Sequence, residues 1–580
     1  MLAAAVGAVA GAGAVVFRGL IALFHNLFFL GQFSITYGAN AHTPTSPWGP
    51  WIVLVPVGGA VLVAFLVKNF APEAKGHGVP EVMDAVYYQR GRIRPIVALI
   101  KSLASSLSIG SGGSVGREGP IIQIGSAFGS TLGQIVPMPE WQRLTLIACG
   151  AGGGIAATFN TPIGGMLFAI ELILPEISAR TLVPVAIATG GASFIGRMVF
   201  GDHPSFDIPA LALPSAHAIP PLAYLAYIVL GAVLGLVAVL YIRALYAFED
   251  FFKRVPGNDY TRHMIGMLVV GLMMYGFVRE TGHYYVQGIG YATVQDALKG
   301  TLAAPALMIL LFAAKLLATV LTLGSGASGG IFSPSMFMGA VLGGAYAILV
   351  SHLAPGLGLS GPGTAVIGMA CVVGAATGAV LTAVVMIFEM TRDYNVIIPL
   401  ILAVAFAYGV RTLLLADSIY TLKLTRRGHP IPASLQTHLY MLRTAIDFIH
   451  TPLLRVDAGS RVDELRRALK RTRPVPHVLV SAGGDVHAVL PGHTVRALLA
   501  GRADASAVGD IEGRAYLVAR AGDQLLDVIA EMRAQGRDVA LITADGALSS
   551  SQDVLGAVTW VDIVEHGNFP PHMVDSAYRR

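Results

Sequence analysis

GSGGSVGREGP, Gly110–Pro120, places a charged pair, Arg117 and Glu118, in a glycine-rich loop with apolar sequence on both sides. A shift of 214 positions lays Lys101–Gly129 over Lys315–Gly343 without a gap. The aligned stretches read KSLASSLSIGSGGSVGREGPIIQIGSAFG and KLLATVLTLGSGASGGIFSPSMFMGAVLG, and twelve of their 29 residues are identical. This internal repeat predicts two homologous halves, at about 1–205 and 215–425.

The composition indicates which solvent surrounds these loops. Of 580 residues, 54% are hydrophobic and 13% are charged, whereas soluble domains carry about 25% charged residues. Apolar runs long enough to cross a bilayer recur over the first 425 residues, beginning with Leu2–Leu30. We therefore predict an all-α polytopic membrane protein over 1–425, in contact with the lipid bilayer. The net charge is +5, and the two cysteines do not suggest a disulfide framework.

Both repeated loops combine glycine with proline, in Gly116–Pro120 and in Gly329–Pro334. Glycine lets backbone amides approach a ligand, and proline favours the first turn of a helix, whose N–H groups attract anions. Membrane proteins with internal repeats often build their substrate site from such interrupted helices. Close helix packing is the alternative, but it explains only the glycines. The loops predict an anion path with Glu118 at its mouth.

The sequence changes character after Arg427. A proline-containing linker is expected at 426–443, and 444–580 alternates amphipathic helices with short β-branched strands, as soluble α/β sequence does. One helix–strand pattern occurs twice, first at 462–480 and again at 525–543. This tail resembles a pair of cystathionine-β-synthase-type (CBS) modules, which often bind adenine nucleotides.

The resemblance implies that Thr559 and Asp562 hold the ribose of an adenine nucleotide, since they match the Thr-x-x-Asp motif of those modules. The first module reads Pro491-Gly-His-Thr494 at the equivalent place, so we expect one nucleotide at most. A purely structural, dimerising tail is the alternative.

Three loops carry a second resemblance. GREGP at 116–120, GGIFSP at 329–334 and GHGVPE at 76–81 resemble the signature loops of CLC chloride channels and chloride/proton antiporters, and the resemblance covers nearly all of 1–425. It implies the CLC fold, which consists of two inverted-topology repeats of broken, tilted helices, in a homodimer with one pore per subunit. It also implies a bacterial inner-membrane protein with a cytoplasmic tail.

The resemblance assigns roles to individual residues. Glu118 matches the gating glutamate, which occupies an anion site when ionised and also carries protons. Tyr420 matches the tyrosine that closes the central anion site from the cytoplasm. The remaining predicted contacts to the anion, through backbone amides or the first signature loop, are His77, Gly78, Arg117, Gly119, Ile331 and Phe332.

Two positions depart from the family pattern. His77 stands where the family has serine or proline; imidazole can donate a hydrogen bond to an anion and can also gain a charge. The alternative is a neutral histidine whose hydrogen bonds are already satisfied. Leu172 follows Glu171 where coupled antiporters usually carry a second glutamate, the inner proton relay. We therefore lean to a passive or loosely coupled chloride channel, with a chloride/proton antiporter as the alternative.

Other charged residues are interpreted as structural. We expect Glu81 and Glu389 at loop and helix ends, and Lys101 and Lys315 snorkelling or paired at helix ends. A nucleotide sensor with a membrane anchor is a second alternative, although an anchor needs no duplicated anion loops. We predict no enzyme, metal site, required cofactor or nucleic-acid partner.

Overall fold

The computed structural model describes residues 1–174, 177–202, 206, 220–431, 444–469, 475–499, 507–511 and 513–567. The chain forms two compact units, Met1–Ile431 and Pro432–Arg580. Residues 432–443 of the expected linker lie outside the described residues, and so does most of the expected boundary between the halves.

The described part of the first unit consists of helices joined by loops. The helices are α1 (Leu2–His25), α2 (Val55–Phe70), α3 (Val79–Tyr88), α4 (Ile96–Gly110), α5 (Glu118–Ile135), α6 (Glu140–Phe159), α7 (Pro162–Phe168), α8 (Ala179–Phe200), α9 (Pro221–Arg254), α10 (Asp259–Thr281), α11 (Tyr291–Lys299), α12 (Pro305–Ser325), α13 (Phe332–Leu353), α14 (Gly361–Thr377), α15 (Val380–Thr391), α16 (Ile397–Leu414) and α17 (Thr421–Arg426). The repeat places α1–α8 in the first half and α9–α16 in the second.

Eight helical segments of the described chain are long and apolar enough to cross a membrane: Leu2–Leu30, Gly49–Phe70, Ala179–Phe200, Pro221–Arg254, Asp259–Thr281, Pro305–Ser325, Phe332–Leu353 and Tyr394–Leu414. Along α9, exposed Val229, Val233, Leu236 and Leu240 recur at helical spacing. Such a stripe suits lipid rather than water. The first unit is an integral membrane domain.

Reciprocal contacts relate the two halves. The Gly116 amide donates to the Gly330 carbonyl at 2.7 Å, and the Gly330 amide donates back to the Gly116 carbonyl at 2.6 Å. These glycines occupy equivalent positions of the repeat. When two equivalent residues make the same contact with each other, a local twofold axis relates them. The axis therefore passes between the two glycine-rich loops, as the inverted-repeat fold requires.

Two carboxylates make a second pair of reciprocal contacts, each with the start of a helix in the other half. Glu389 accepts hydrogen bonds from the Ile163 and Gly164 amides at 3.1 and 2.7 Å, in the first turn of α7. Glu171 accepts from the Leu381 and Thr382 amides at 2.9 and 2.7 Å, in the first turn of α15. Each carboxylate satisfies amides that have no partner within their own helix. Glu389 is therefore a helix-end residue, as predicted, and Glu171 is its counterpart.

The second unit contains two modules of the same topology. The first comprises β1 (Leu453–Asp457), α18 (Val462–Leu469), β2 (His477–Ala482), β3 (Asp485–Leu490) and α19 (Gly492–Leu499), and the second comprises β4 (Tyr516–Arg520), α20 (Leu525–Ala534), β5 (Val539–Thr543), β6 (Val554–Thr559) and α21 (Trp560–Gly567). In each module the first strand pairs parallel to the second, and the second pairs antiparallel to the third. The tail is a CBS-like pair.

Candidate anion site

Four glycine-containing loops are hydrogen-bonded to one another inside the first unit. Besides the two long repeated loops, Gly76-His-Gly78 recurs as Gly288-Ile-Gly290, a short repeat that the sequence comparison missed. Gly76 and Gly78 have φ values of 79° and 88°, and Gly288 and Gly290 have values of 52° and 83°. Positive φ at both ends of each motif favours glycine. The Gly-x-Gly spacing, at a shift of 212 positions, was the signal available in the sequence.

A buried lysine supports each short loop. The Lys101 ammonium donates to the carbonyls of Ala74 and Gly76, at 2.9 and 2.7 Å. The Lys315 ammonium donates to the carbonyls of Val286 and Gly288, at 3.1 and 2.9 Å. Both lysine side chains are 0% exposed. The prediction that these lysines snorkel was wrong, because the loops turn their carbonyl groups inward and the ammonium groups satisfy them.

The Glu118 carboxylate is fully buried and hydrogen-bonded. The Tyr291 hydroxyl donates to Oε1 at 2.6 Å, and the Ser333 amide donates to Oε2 at 3.3 Å. The Ser333 hydroxyl also donates to Oε1. The Ser333 amide belongs to the first turn of α13, whose unpaired N–H groups attract negative charge. The carboxylate thus occupies a place suited to an anion.

Tyr291 and Ser333 are site residues that the sequence analysis missed. Tyr291 follows Gly290 at the start of α11, and Ser333 follows Phe332 at the start of α13. The Ser333 hydroxyl lies 3.2 Å from the Tyr291 hydroxyl, so the two donors form one cluster around Glu118. A sequence signal existed for Ser333, which lies within the quoted GGIFSP motif. For Tyr291 there was none, because Tyr291 and Glu118 are 173 positions apart in the sequence.

The His77 and Tyr420 side chains lie close to each other. Both side chains are about 1% exposed, and their ring centres are 6.0 Å apart. Neither ring nitrogen of His77 has a hydrogen-bond partner among the described residues. This geometry argues against a histidine that protein groups already satisfy, because a buried polar group is normally paired.

The loops pack tightly against each other. A Cβ atom on Gly119 would overlap the His77 carbonyl oxygen, and one on Gly78 would come within 2.9 Å of the Gly119 carbonyl oxygen. Ile331 and Phe332, at the start of α13, are each 1% exposed. The structure therefore brings the predicted anion-contacting residues of the three signature loops into one buried region.

Glu81 fixes the position of Tyr420. Its Oε1 accepts from Lys423 at 2.8 Å and from Arg427 at 3.0 Å, so the first turn of α3 is joined to α17 and the residue after it. Tyr420 is the residue immediately before α17. The ion pair thereby holds Tyr420 beside His77, in agreement with the structural role predicted for Glu81.

The expected inner relay position carries no carboxylate. Leu172 is 8% exposed and lies in the helical turn Ala169–Ile173. The neighbouring Glu171 is already bonded to the start of α15. Among the described residues, no three histidine, cysteine, aspartate or glutamate side chains group as metal ligands.

Asp562 of the tail is buried and bonded on both oxygens. Oδ1 accepts from the Thr451 hydroxyl at 2.7 Å, while Oδ2 lies 3.0 Å from His477 Nε2 and accepts from the Thr559 amide at 2.8 Å. Burial tends to raise the pKa of this carboxyl, but His477 and the two threonine hydroxyls hold it well below its usual range. A group whose pKa is lowered by folding stabilises the fold at neutral pH.

We expect Asp562→Asn to destabilise the tail at pH 7 by about 1.5–3 kcal/mol, because hydrogen bonds to a charged group lose that charge. The Asp562 contribution is present above the unfolded pKa of about 3.9 and is lost as pH falls through the lower folded pKa. The difference between wild type and variant should therefore shrink below about pH 4. Hydrogen exchange of β6 and α21 in the full chain measures it.

Asp485→Asn, at an exposed position of the same unit, is the matched control and should leave exchange unchanged. If Asp562→Asn exchanged as slowly as wild type at pH 7, the buried carboxylate would contribute nothing to the tail.

Comparisons with known proteins agree with the loops and the fold. Residues 59–412 match the family model described as voltage gated chloride channel. A putative chloride channel protein ClcB-like of Ralstonia nicotianae is 33% identical over 398 residues, which cover 67% of this chain and 89% of that protein. The H(+)/Cl(-) exchange transporter ClcA of Vibrio parahaemolyticus is 31% identical over 392 residues, which cover 65% of this chain and 80% of that protein.

Among solved structures, a slow cyanobacterial Cl⁻/H⁺ antiporter superposes with a TM-score of 0.64 at 26% identity, covering 73% of this chain and 97% of that one. The family match spans more than half of the chain, and the structural match covers nearly the whole of the antiporter. The chain therefore belongs to the CLC family of voltage-gated chloride channels and chloride/proton exchangers.

Proposed function

We propose that this protein is a chloride/proton antiporter in which Glu118 exchanges with the transported anion. The observation that carries the proposal is the Glu118 carboxylate, which accepts the Ser333 amide at the start of α13 together with the Tyr291 and Ser333 hydroxyls. These donors suit any small anion. A chloride ion and the ionised side chain would therefore compete for the same place.

Protonation changes that competition. An ionised carboxylate accepts charge-assisted hydrogen bonds, which are roughly twice as strong as neutral ones. A protonated Glu118 keeps weaker bonds and no longer carries the charge that the helix start attracts. An anion can then occupy the place that the side chain leaves, while the proton stays on Glu118. When Glu118 releases the proton, the ionised carboxylate returns to the site and the anion leaves, so proton binding and anion binding alternate at one place.

Two of the three proteins compared above favour exchange over passive flow, contrary to the expectation drawn from Leu172, whereas the Ralstonia protein is named a putative chloride channel. The Vibrio protein is named an exchange transporter, and the cyanobacterial structure is that of an antiporter. Leu172 is the specific observation that favours the second candidate, a passive chloride channel, because leucine cannot carry a proton. In the antiport proposal, water takes the place of an inner carboxylate.

His77 supports a central anion position beyond the gate. Its two unpartnered ring nitrogens lie beside Tyr420 in a buried region, and an imidazole N–H is a hydrogen-bond donor. We propose that His77 and Tyr420 contact the anion together with the amides of Ile331 and Phe332. Gly78, Arg117 and Gly119 complete the path through their backbone.

The remaining assignments follow the family and rest on resemblance. We propose a homodimer in the inner membrane of a bacterium, with the tail in the cytoplasm. At most one adenine nucleotide would bind the tail through Thr559 and Asp562. Asp562 is already bonded to Thr451 and His477, so a ribose would have to displace them, and we expect weak binding.

The coupling experiment uses purified protein in vesicles that contain high chloride and are diluted into low chloride. Valinomycin with potassium holds the voltage at zero, and an external electrode reads pH. An antiporter should use outward chloride flow to drive protons inward against a small opposing pH gradient. The measurement is the initial rate of external alkalinisation.

Vesicles without protein and vesicles with protein but equal chloride on both sides are the controls. Chloride efflux with no proton uptake under this clamp would overturn the antiport proposal and leave the passive channel. Absence of both chloride and proton movement would contradict both candidates.

A further inference from the structure

A cavity of about 240 Å³ lies beside the gate residues, and two arginines from separate elements line it. Arg18 comes from α1, whereas Arg117 comes from the GREGP loop directly before Glu118. Tyr291, the donor to Glu118, lines the same cavity. The described residues that line it include no carboxylate. The nearby Asp202 is paired with Arg197 and Arg392 instead.

Arg117 has hydrogen-bonding capacity that the protein leaves unused. Its side chain is 6% exposed, and its Nε has no hydrogen-bond partner among the described residues. Its guanidinium stacks over the rings of Tyr291 and Phe159, at 5.2 and 5.9 Å from their centres. A buried charge is costly unless an opposite charge accompanies it. The unpaired donor therefore indicates an anionic partner.

Arg18 is placed for the same partner. It occupies the first apolar helix, where a charge is expensive and usually functional. Its guanidinium stacks on the Phe200 ring at 4.2 Å, which orients the group at the cavity wall. Two guanidinium groups around one small cavity repel each other, and an anion between them relieves that repulsion.

We infer that Arg18 and Arg117 form an outer binding site for a small monovalent anion, next to the gate and separate from the place that Glu118 occupies. Chloride is the proposed occupant, which rests on the transport function proposed above. The site would concentrate the anion at the mouth, as electropositive clefts do for their ligands. Arg18 is then a residue that sets the apparent affinity for chloride on this side.

The first test is direct binding, which does not depend on transport. Crystals of the wild-type protein soaked in bromide should show an anomalous peak between the two guanidinium groups, and crystals of Arg18→Gln should show it weakened or lost. Arg18→Lys, which keeps the charge, should retain the peak. A wild-type map without a peak in this cavity would overturn the site, whatever the coupling experiment shows.

The second test measures chloride flux in vesicles as a function of chloride concentration. The concentration is varied on the side of the membrane to which the Arg18 cavity opens, at constant ionic strength and with valinomycin present. Removing one charge near the anion should raise the apparent KM about three- to tenfold with little change in maximal rate. Arg279→Gln removes the same charge from an exposed position near the end of α10 and should not change KM. An equal change in both variants would show surface charge only, and an unchanged KM in Arg18→Gln would contradict the loading role.

Discussion

Glu118→Gln is expected to abolish proton movement coupled to chloride and to leave chloride flux equal to or above the wild-type rate. Glutamine is close to glutamate in shape, but it neither ionises nor carries a proton at any pH used in a flux assay. It also loses the charge-assisted bonds from Tyr291 and Ser333 that hold the carboxylate in place. The anion then faces a weaker competitor, so the gate opens more readily.

The measurement pairs chloride efflux with proton uptake in the same vesicles from pH 5 to pH 8. In the variant, chloride efflux should become independent of pH, since the group proposed to set that dependence is gone. Glu280→Gln, at an exposed position near the end of α10, is the control and should behave as wild type. Proton uptake that persists in Glu118→Gln would require another carrier and would refute the proposed exchange at this side chain.

The sequence predicted the fold of the membrane domain well because its two halves repeat the same pattern of residues. The repeat joins Lys101–Gly129 to Lys315–Gly343, and their glycines mark positions where backbone must approach backbone. The reciprocal Gly116–Gly330 bonds occur at such a position. Glycine and proline constrain the backbone through their own geometry, so the turns and helix starts they cause can be predicted without knowing which residues pack beside them.

The partners of individual side chains were much less predictable. Tyr291 reaches Glu118 only because the short loop ending at Gly290 turns α11 toward the gate. A tyrosine in sequence carries no sign of the carboxylate it will meet, 173 positions away. The two lysines were misplaced for the same reason, because a lysine near a helix end normally reaches water. Here, inward-facing carbonyl groups of a distant loop hold the ammonium inside.

Lys315→Met should reduce proton uptake per chloride released at least about tenfold, a loss that corresponds to about 1.4 kcal/mol, while leaving the protein in the membrane and chloride flux intact. Methionine is similar in length and apolar, so it fills the space and removes a costly buried charge. It cannot donate hydrogen bonds, and the carbonyls of Val286 and Gly288 would lose their partner. Each buried unpaired carbonyl costs about 1–3 kcal/mol. The loop would relax, and Tyr291 would lose its position against Glu118.

The repeat provides the matching experiment. Lys101→Met frees the carbonyls of Ala74 and Gly76, so it should disturb His77 and raise the apparent KM for chloride, whereas Lys315→Met should mainly alter the pH dependence set at Glu118. Lys315→Arg should show the same altered pH dependence as Lys315→Met, because the space around the ammonium is too small for a guanidinium group. A Cβ atom built on Gly290 would lie only 3.1 Å from that ammonium and 2.8 Å from Phe337. Lys68→Met, at an exposed position, controls for loss of one positive charge. If both buried-lysine variants transported like Lys68→Met, with wild-type pH dependence, the lysines would not position the two short loops.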